Sequence, residues 1–141
     1  MSSARVMVDT WAWLALNEED DADHELAEAA NSELLDSGYA LVTTNFILDE
    51  TYTLLRRRTS AQQAIRFGHD IQQAVESGAL ELITIDSEIE AEAWKIFETY
   101  HEVKGLSYTD CTTFAIMRKL GITEAFTVDE HFPMMGFVGH P

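Results

Sequence analysis

Four carboxylates, Asp9, Glu50, Asp110 and Asp129, stand where an acid is either costly or well aimed. Asp9 follows the apolar run Val6-Met7-Val8 and precedes Thr10-Trp11-Ala12-Trp13-Leu14. It therefore sits where a buried strand stops and an apolar helix starts. Asp129 follows a second short apolar run at 124–128. Glu50 lies within "TNFILDETYTLLRRR", where its neighbours three and four residues away are Phe46, Ile47 and Leu54. Asp49 shares its face with Asn45 and Tyr52 instead, so Glu50 is the acid on the apolar side. Asp110, in "SYTDCTTFAIMRKLG", lines up with Phe114 and Met117. Four ionised carboxylates gathered within a few ångströms would repel and raise one another's pKa values. Divalent cations relieve that repulsion, and hard ions such as Mg2+ and Mn2+ select oxygen ligands. One or two such ions can activate water and stabilise an in-line phosphoryl displacement.

Each acid also has a purely structural role open to it. Asp9 is placed to cap the helix beginning at Thr10. Asp129 suits an acidic turn. Glu50 at the margin of its stripe could reach solvent, and Ser107-Tyr-Thr-Asp110 fits a capping box. The combination of four is more informative than any member.

The elements that would position them alternate. Strands are expected at 4–8, 39–43, 79–85 and 124–128, with a short last strand at 136–138. Helices are expected at 10–17, about 22–37, from Thr44 or Asn45 to the arginine triplet, from Ser60 to Gly78, from Asp86 or Ser87 to about Val103, and from Ser107 to Gly121. A turn holding Asp129 and Pro133 separates the last two strands. The acidic run 18–23 reads as a solvated loop. This order predicts a single α/β domain over 1–141, a three-layer α/β/α sandwich around a mostly parallel sheet of four to five strands. In such sheets ligand sites form beyond the carboxyl ends of the strands, where Asp9 and Asp129 fall.

Composition narrows the class. The chain has 141 residues, with 25 Asp and Glu against nine Lys and Arg, a net charge of −16. So acidic a protein repels polyanions at long range, so any phosphate contact needs a local basic patch. Arg56, Arg57 and Arg58 with Arg66, and Arg118-Lys119, are the candidates, although an arginine triplet ending a helix also complements its dipole. One cysteine, Cys111, excludes an internal disulfide, fits a reducing cytosol and reads as a small buried hydrophobe. No signal peptide and no membrane span are expected.

The pieces "VMVDT", "TTNFILDETYTLL", "GLSYTDCTTFAIMRKLGI" and "AFTVDEHF" followed by "GF", in this order and spacing, make the chain resemble the PIN-domain ribonucleases, and within them the toxins of VapBC type. The resemblance spans nearly the whole sequence. It implies a Mg2+-dependent endoribonuclease, with Mn2+ as an alternative ion, in the cytoplasm. It implies that Asp9 and Asp110 are inner metal ligands, that Glu50 and Asp129 act directly or through water, and that Asn45 and Thr127 support the acids. It further implies a homodimer, an RNA substrate and a small antitoxin as partner.

Other residues carry less. His131 lies close to Asp129 and could touch a metal or phosphate, but a histidine in such a turn is more often exposed, and Mg2+ prefers oxygen. Trp11, Trp13 and Trp94 could stack on bases, yet read better as core or dimer interface. Three competing functions remain: a catalytically silent PIN-like module that binds a protein, a housekeeping RNA-processing nuclease, and a phosphoacceptor domain. The last lacks the second acid at the first strand and the lysine at a later strand end.

Overall fold

The computed structural model describes residues 4–141; the first three residues of the expected 1–141 domain lie outside the described residues. Five strands, β1 (Arg5–Val8), β2 (Ala40–Thr44), β3 (Leu80–Ile83), β4 (Glu124–Phe126) and β5 (Val138–His140), form one sheet in the order β3-β2-β1-β4-β5. Every pairing is parallel. Parallel strands need crossovers, and helices supply them: α1 (Thr10–Asn17), α2 (His24–Asp36), α3 (Asn45–Arg58), α4 (Ala61–Glu76), α5 (Ser87–Thr99), α6 (Tyr108–Leu120) and the short α7 (His131–Met134). The expected α/β architecture is present.

β1 is central and fully buried at Val6, Met7 and Val8, which explains its unbroken apolar run. The chain winds outward from β1 through β2 to β3, then returns to lay β4 on the other side of β1. The β1/β4 border is thus the point where the winding direction reverses. At that point the loops leaving adjacent strands diverge and open a crevice. Asp9 leaves β1 and Asp129 follows β4 at this border.

α3, α4 and α5 start on side-chain caps as their sequences predict, whereas Asp23 at the start of α2 makes no side-chain cap bond. Thr44 Oγ1 accepts from Ile47 N, Ser60 Oγ from Gln63 N and Asp86 Oδ1 from Ile89 N. Thr44 rather than Asn45 therefore caps α3. α6 ends at Gly121 in the left-handed region, φ +69°, a conformation that costs glycine nothing.

Several boundaries differ from expectation: β3 ends at Ile83, not 85, and β4 at Phe126, not 128, where the chain leaves the ladder for the site. α5 stops at Thr99, a turn short of Val103. The segment around Pro133 is a helical turn, not an open turn, because proline in a first helical turn forfeits no intrahelical bond. The last strand begins at Val138. Phe137, expected within it, is buried beside Phe114 and Phe132 and packs as core before the ladder starts. Cys111 is buried, as expected, and burial followed by the nearby Asp110 charge pushes its thiol up to about 11.

Candidate active site

Asp9 occupies the N-cap position of α1, yet its side chain does not cap the helix. It is 7% exposed, and its Oδ2 accepts the Thr127 hydroxyl at 2.9 Å. The same Thr127 oxygen accepts the backbone N–H of Asp129 at 3.0 Å. One threonine, just past the end of β4, therefore fixes the first acid and the main chain of the fourth. Asp129 Oδ1 accepts the His131 N–H at 2.9 Å, an Asx turn that starts the chain toward α7.

Asp110 fulfils the capping-box expectation. Its N–H donates to Ser107 Oγ at 3.0 Å and its Oδ2 accepts Ser107 N–H at 3.1 Å. The same Oδ2 lies 4.0 Å from His131 Nδ1, so the cap orients the acid at the site. Glu50 is half-buried on α3, with Asp49 exposed beside it, as the periodicity predicts.

The four acids line one depression of about 330 Å³, together with Thr10, Trp11, Leu14, Asp21, Leu54, Arg58, Gly105, Ser107 and Val128. Among the described residues lining it, Arg58 is the one cation, and its Nη1 lies 3.3 Å from Glu18 Oε2. The charge balance inside is strongly negative, and the carboxyls register it. Burial above all, then the Asp110 charge, pushes Asp9 up to about 7, with Asp129 adding and the Thr127 hydroxyl and Thr10 amide opposing. Burial, aided by Asp129 and Glu50 and opposed by Ser107, pushes Asp110 up to about 6. Perturbed acids converging in a crevice at a strand-order reversal mark a functional site.

The remaining sequence candidates separate. Of the three arginines, Arg58 lines the acidic depression, whereas Arg56 lines a different one with Tyr52 and His69, and Arg57 is exposed. Arg66 and Arg58 line an adjoining hollow of about 700 Å³. Arg118 and Lys119 lie at the far end of α6 from Asp110, beside Lys95. Asn45 Oδ1 accepts from Ile85 N at 2.8 Å, tying α3 to the end of β3 rather than touching an acid. Trp13 is core, its Nε1 donating to Thr43, while Trp94 is 52% exposed and is not core.

One residue of the site, Asp21, has no signal in the sequence, and a second, His131, is named there and set aside. Asp21, expected in a solvated loop, reaches the depression because that loop is built: Asp21 Oδ1 accepts Asp23 N–H at 2.7 Å, and Asp23 Oδ2 accepts Trp11 Nε1 at 3.0 Å. No local pattern announces that placement. His131, rated an exposed turn residue, has its Nδ1 2.8 Å from Asp129 Oδ1 and 4.0 Å from Asp110 Oδ2. Its closeness to Asp129 in the sequence carries that signal, but the preference for an exposed turn histidine outweighs it there.

The donor set fits a divalent cation. It offers carboxylate oxygens from separate elements, and the one cationic side chain lining the depression, Arg58, pairs with Glu18 and not with any of the four acids. Asp110, Asp129 and His131 can each present one atom within 4.8 Å of the others.

The sequence matches the PIN domain family over residues 6–138. It is 34% identical over 139 residues to the 23S rRNA-specific endonuclease VapC20 of Mycobacterium tuberculosis, covering 94% of this chain and 95% of that one. It is 34% identical over 94 residues to a VapC ribonuclease of Archaeoglobus fulgidus, covering 67% of this chain and 56% of that protein. The crystal structure of M. tuberculosis VapC20, described as a sarcin-ricin loop cleaving toxin, superposes with a TM-score of 0.80 at 32% identity, over 94% of this chain and 96% of that one.

Proposed function

The chain belongs to the PIN-domain family, in its VapC-type ribonuclease branch, and from that premise we propose that it is a divalent-cation-dependent endoribonuclease acting as the toxin of a toxin–antitoxin pair. The observation that carries this reading is the delivery of Asp9, Glu50, Asp110 and Asp129 from four separate elements into one depression.

In this reading Asp9 and Asp110 are the inner ligands, with Asp129 and Glu50 completing the set. The cation, Mg2+ or Mn2+, supplies a lowered pKa for the attacking water and charge stabilisation for the departing oxygen. The chain's own groups do the rest. Thr127 holds the Asp9 carboxylate in one orientation and, through the Asp129 amide, sets the spacing between β1 and β4 acids. Ser107 fixes Asp110 at the start of α6. Glu50, which lines the same depression, orients water toward the phosphodiester in this reading. Arg58, at the rim, offers the local positive charge that an otherwise acidic surface lacks, with Arg56 and Arg57 next to it on α3.

The substrate is RNA. Large-subunit ribosomal RNA is the first to assay, because a relative 34% identical to this chain is named for cutting 23S rRNA. A homodimer, a small antitoxin that covers the acidic depression and a cytoplasmic site of action belong to the same reading. No helix among the described residues is long and apolar enough to cross a membrane. The test is incubation of purified chain with labelled RNA and Mg2+ or Mn2+. Cleavage is expected, with loss on chelation and restoration when the ion returns; cleavage in excess chelator would refute the reading.

A further inference from the structure

His131 presents a contradiction that the cation-dependent reading above, on which this inference rests, resolves. Its Nε2 lies 3.0 Å from the Lys104 carbonyl. A carbonyl only accepts, so Nε2 carries hydrogen there and donates it. That commits the ring to one orientation. Gly105, at φ +76°, turns the chain so that Lys104 can meet the ring, and a Cβ on Gly105 would stand 3.6 Å from His131 Cε1. The other nitrogen, Nδ1, is therefore aimed by the Lys104 anchor into the carboxylates. It is buried and makes no aligned hydrogen bond, although Asp129 Oδ1 is only 2.8 Å away. Pairing with Asp129 is the other use open to this nitrogen, but the contact lacks hydrogen-bond alignment.

The separations suit a shared ligand sphere. An ion with bonds of roughly 2.1 Å in octahedral geometry puts adjacent donors about 3 Å apart and opposite donors about 4.2 Å apart. His131 Nδ1 lies 2.8 Å from Asp129 Oδ1 and 4.0 Å from Asp110 Oδ2. Anchoring one ring nitrogen on a backbone carbonyl while the other faces the metal is the usual way a ligating histidine is oriented. The geometry points to His131 as a nitrogen donor to the cation of the acidic depression, on the side where Asp110 and Asp129 approach it, giving a mixed nitrogen–oxygen set. Imidazole suits first-row transition ions better than Mg2+, which keeps to oxygen. The consequence is selection: His131 favours a transition ion over Mg2+ at this position.

The experiment uses Mn2+ as the probe on metal-free full-length chain, read by pulsed electron paramagnetic resonance. Wild type is expected to show the coupling of a directly bound imidazole nitrogen, altered in the expected way when all histidines carry 15N. In His131→Asn the coupling should vanish. Mn2+ affinity should fall by roughly tenfold or more, with Mg2+ affinity, measured by competition, falling less. The isotope comparison is made on wild type, so it stands even where the variant folds poorly. Saturable Mn2+ binding without nitrogen coupling, the result for a histidine that only pairs with Asp129, overturns this inference and spares the nuclease reading. Coupling that survives in His131→Asn overturns it too. No saturable Mn2+ binding at all overturns both.

Discussion

Thr127 and Asp9, 118 residues apart in the sequence, are joined by a buried hydrogen bond of 2.9 Å from the threonine hydroxyl to the aspartate Oδ2. Because the same hydroxyl oxygen accepts the Asp129 amide, this bond couples the two strand ends that flank the site. Losing it leaves a buried carboxylate with one donor fewer, a change that costs about 1–3 kcal/mol. Thr127→Val is expected to lower kcat for RNA cleavage by roughly 10–100-fold and to reduce thermal stability, with Thr127→Ser restoring most of both. Asn45→Ala is expected to reduce stability by about 1–2 kcal/mol through the lost Ile85 bond while the folded fraction keeps near-normal kcat. Thermal melts beside single-turnover cleavage check the pair.

The second prediction concerns pH in the absence of metal. Asp9 and Asp110 have folded-state values of about 7 and about 6, above the ordinary aspartate value. The folded state therefore binds their protons more tightly than the unfolded chain does. Below about pH 4 both states are protonated and these groups carry no penalty. As pH rises toward 7 the buried carboxylates ionise at a cost borne only by the folded state, so stability falls and then levels off. In chelator, Tm should be lower at about pH 8 than at about pH 5, and Asp9→Asn should remove much of that difference. Added Mg2+ or Mn2+ should raise Tm more at the higher pH, since the ion competes with protons for the same oxygens. A metal effect that is equal at both pH values would contradict this.

Arg58 and Arg56 supply the third. Both are exposed arginines at the end of α3, but only Arg58 lines the acidic depression. Arg58→Ala is expected to weaken RNA binding and to reduce the slope of log affinity against log salt by about 0.7, the value for one phosphate contact on a single strand. Arg56→Ala should leave the slope unchanged. Filter binding of a catalytically inactive chain across a salt series distinguishes them, and equal slopes for the two variants would remove Arg58 from the substrate path. Arg58→Ala also removes the partner of Glu18, whose side chain is 14% exposed, so it should lower Tm slightly, whereas Arg56→Ala should not.

Much of this site was legible in the sequence because each acid sits on a local signal. Asp9 ends an apolar run, Asp110 completes a capping box, and the two face-sharing patterns around residue 50 separate Glu50 from Asp49. The parallel sheet followed from the alternation of elements. Relationships that depend on where two loops meet were not legible. His131 meets the Lys104 carbonyl in the loop between α5 and α6, far from it in sequence. Asp21 reaches the site because Trp11 holds Asp23. Such contacts link side chains to backbone across turns with no periodicity of their own. Phe137 misled in the opposite direction: an apolar residue after a glycine reads as strand, but here it fills space against Phe114 and Phe132.

The central claim is that Asp9, Glu50, Asp110 and Asp129 act as one unit. Its most direct test is a single-turnover cleavage series with Asp9→Asn, Glu50→Gln, Asp110→Asn, Asp129→Asn and the Asp9/Asp110 double variant, each shown to be folded. A shared cation supplies several kcal/mol of transition-state stabilisation, so each of the Asp9 and Asp110 changes should cost roughly 10²–10³-fold in rate. Glu50→Gln and Asp129→Asn should also be slowed, and the double variant should be little slower than the worse single. Losses that multiply independently in the double variant, or undiminished cleavage by any of the four single variants, would contradict the account.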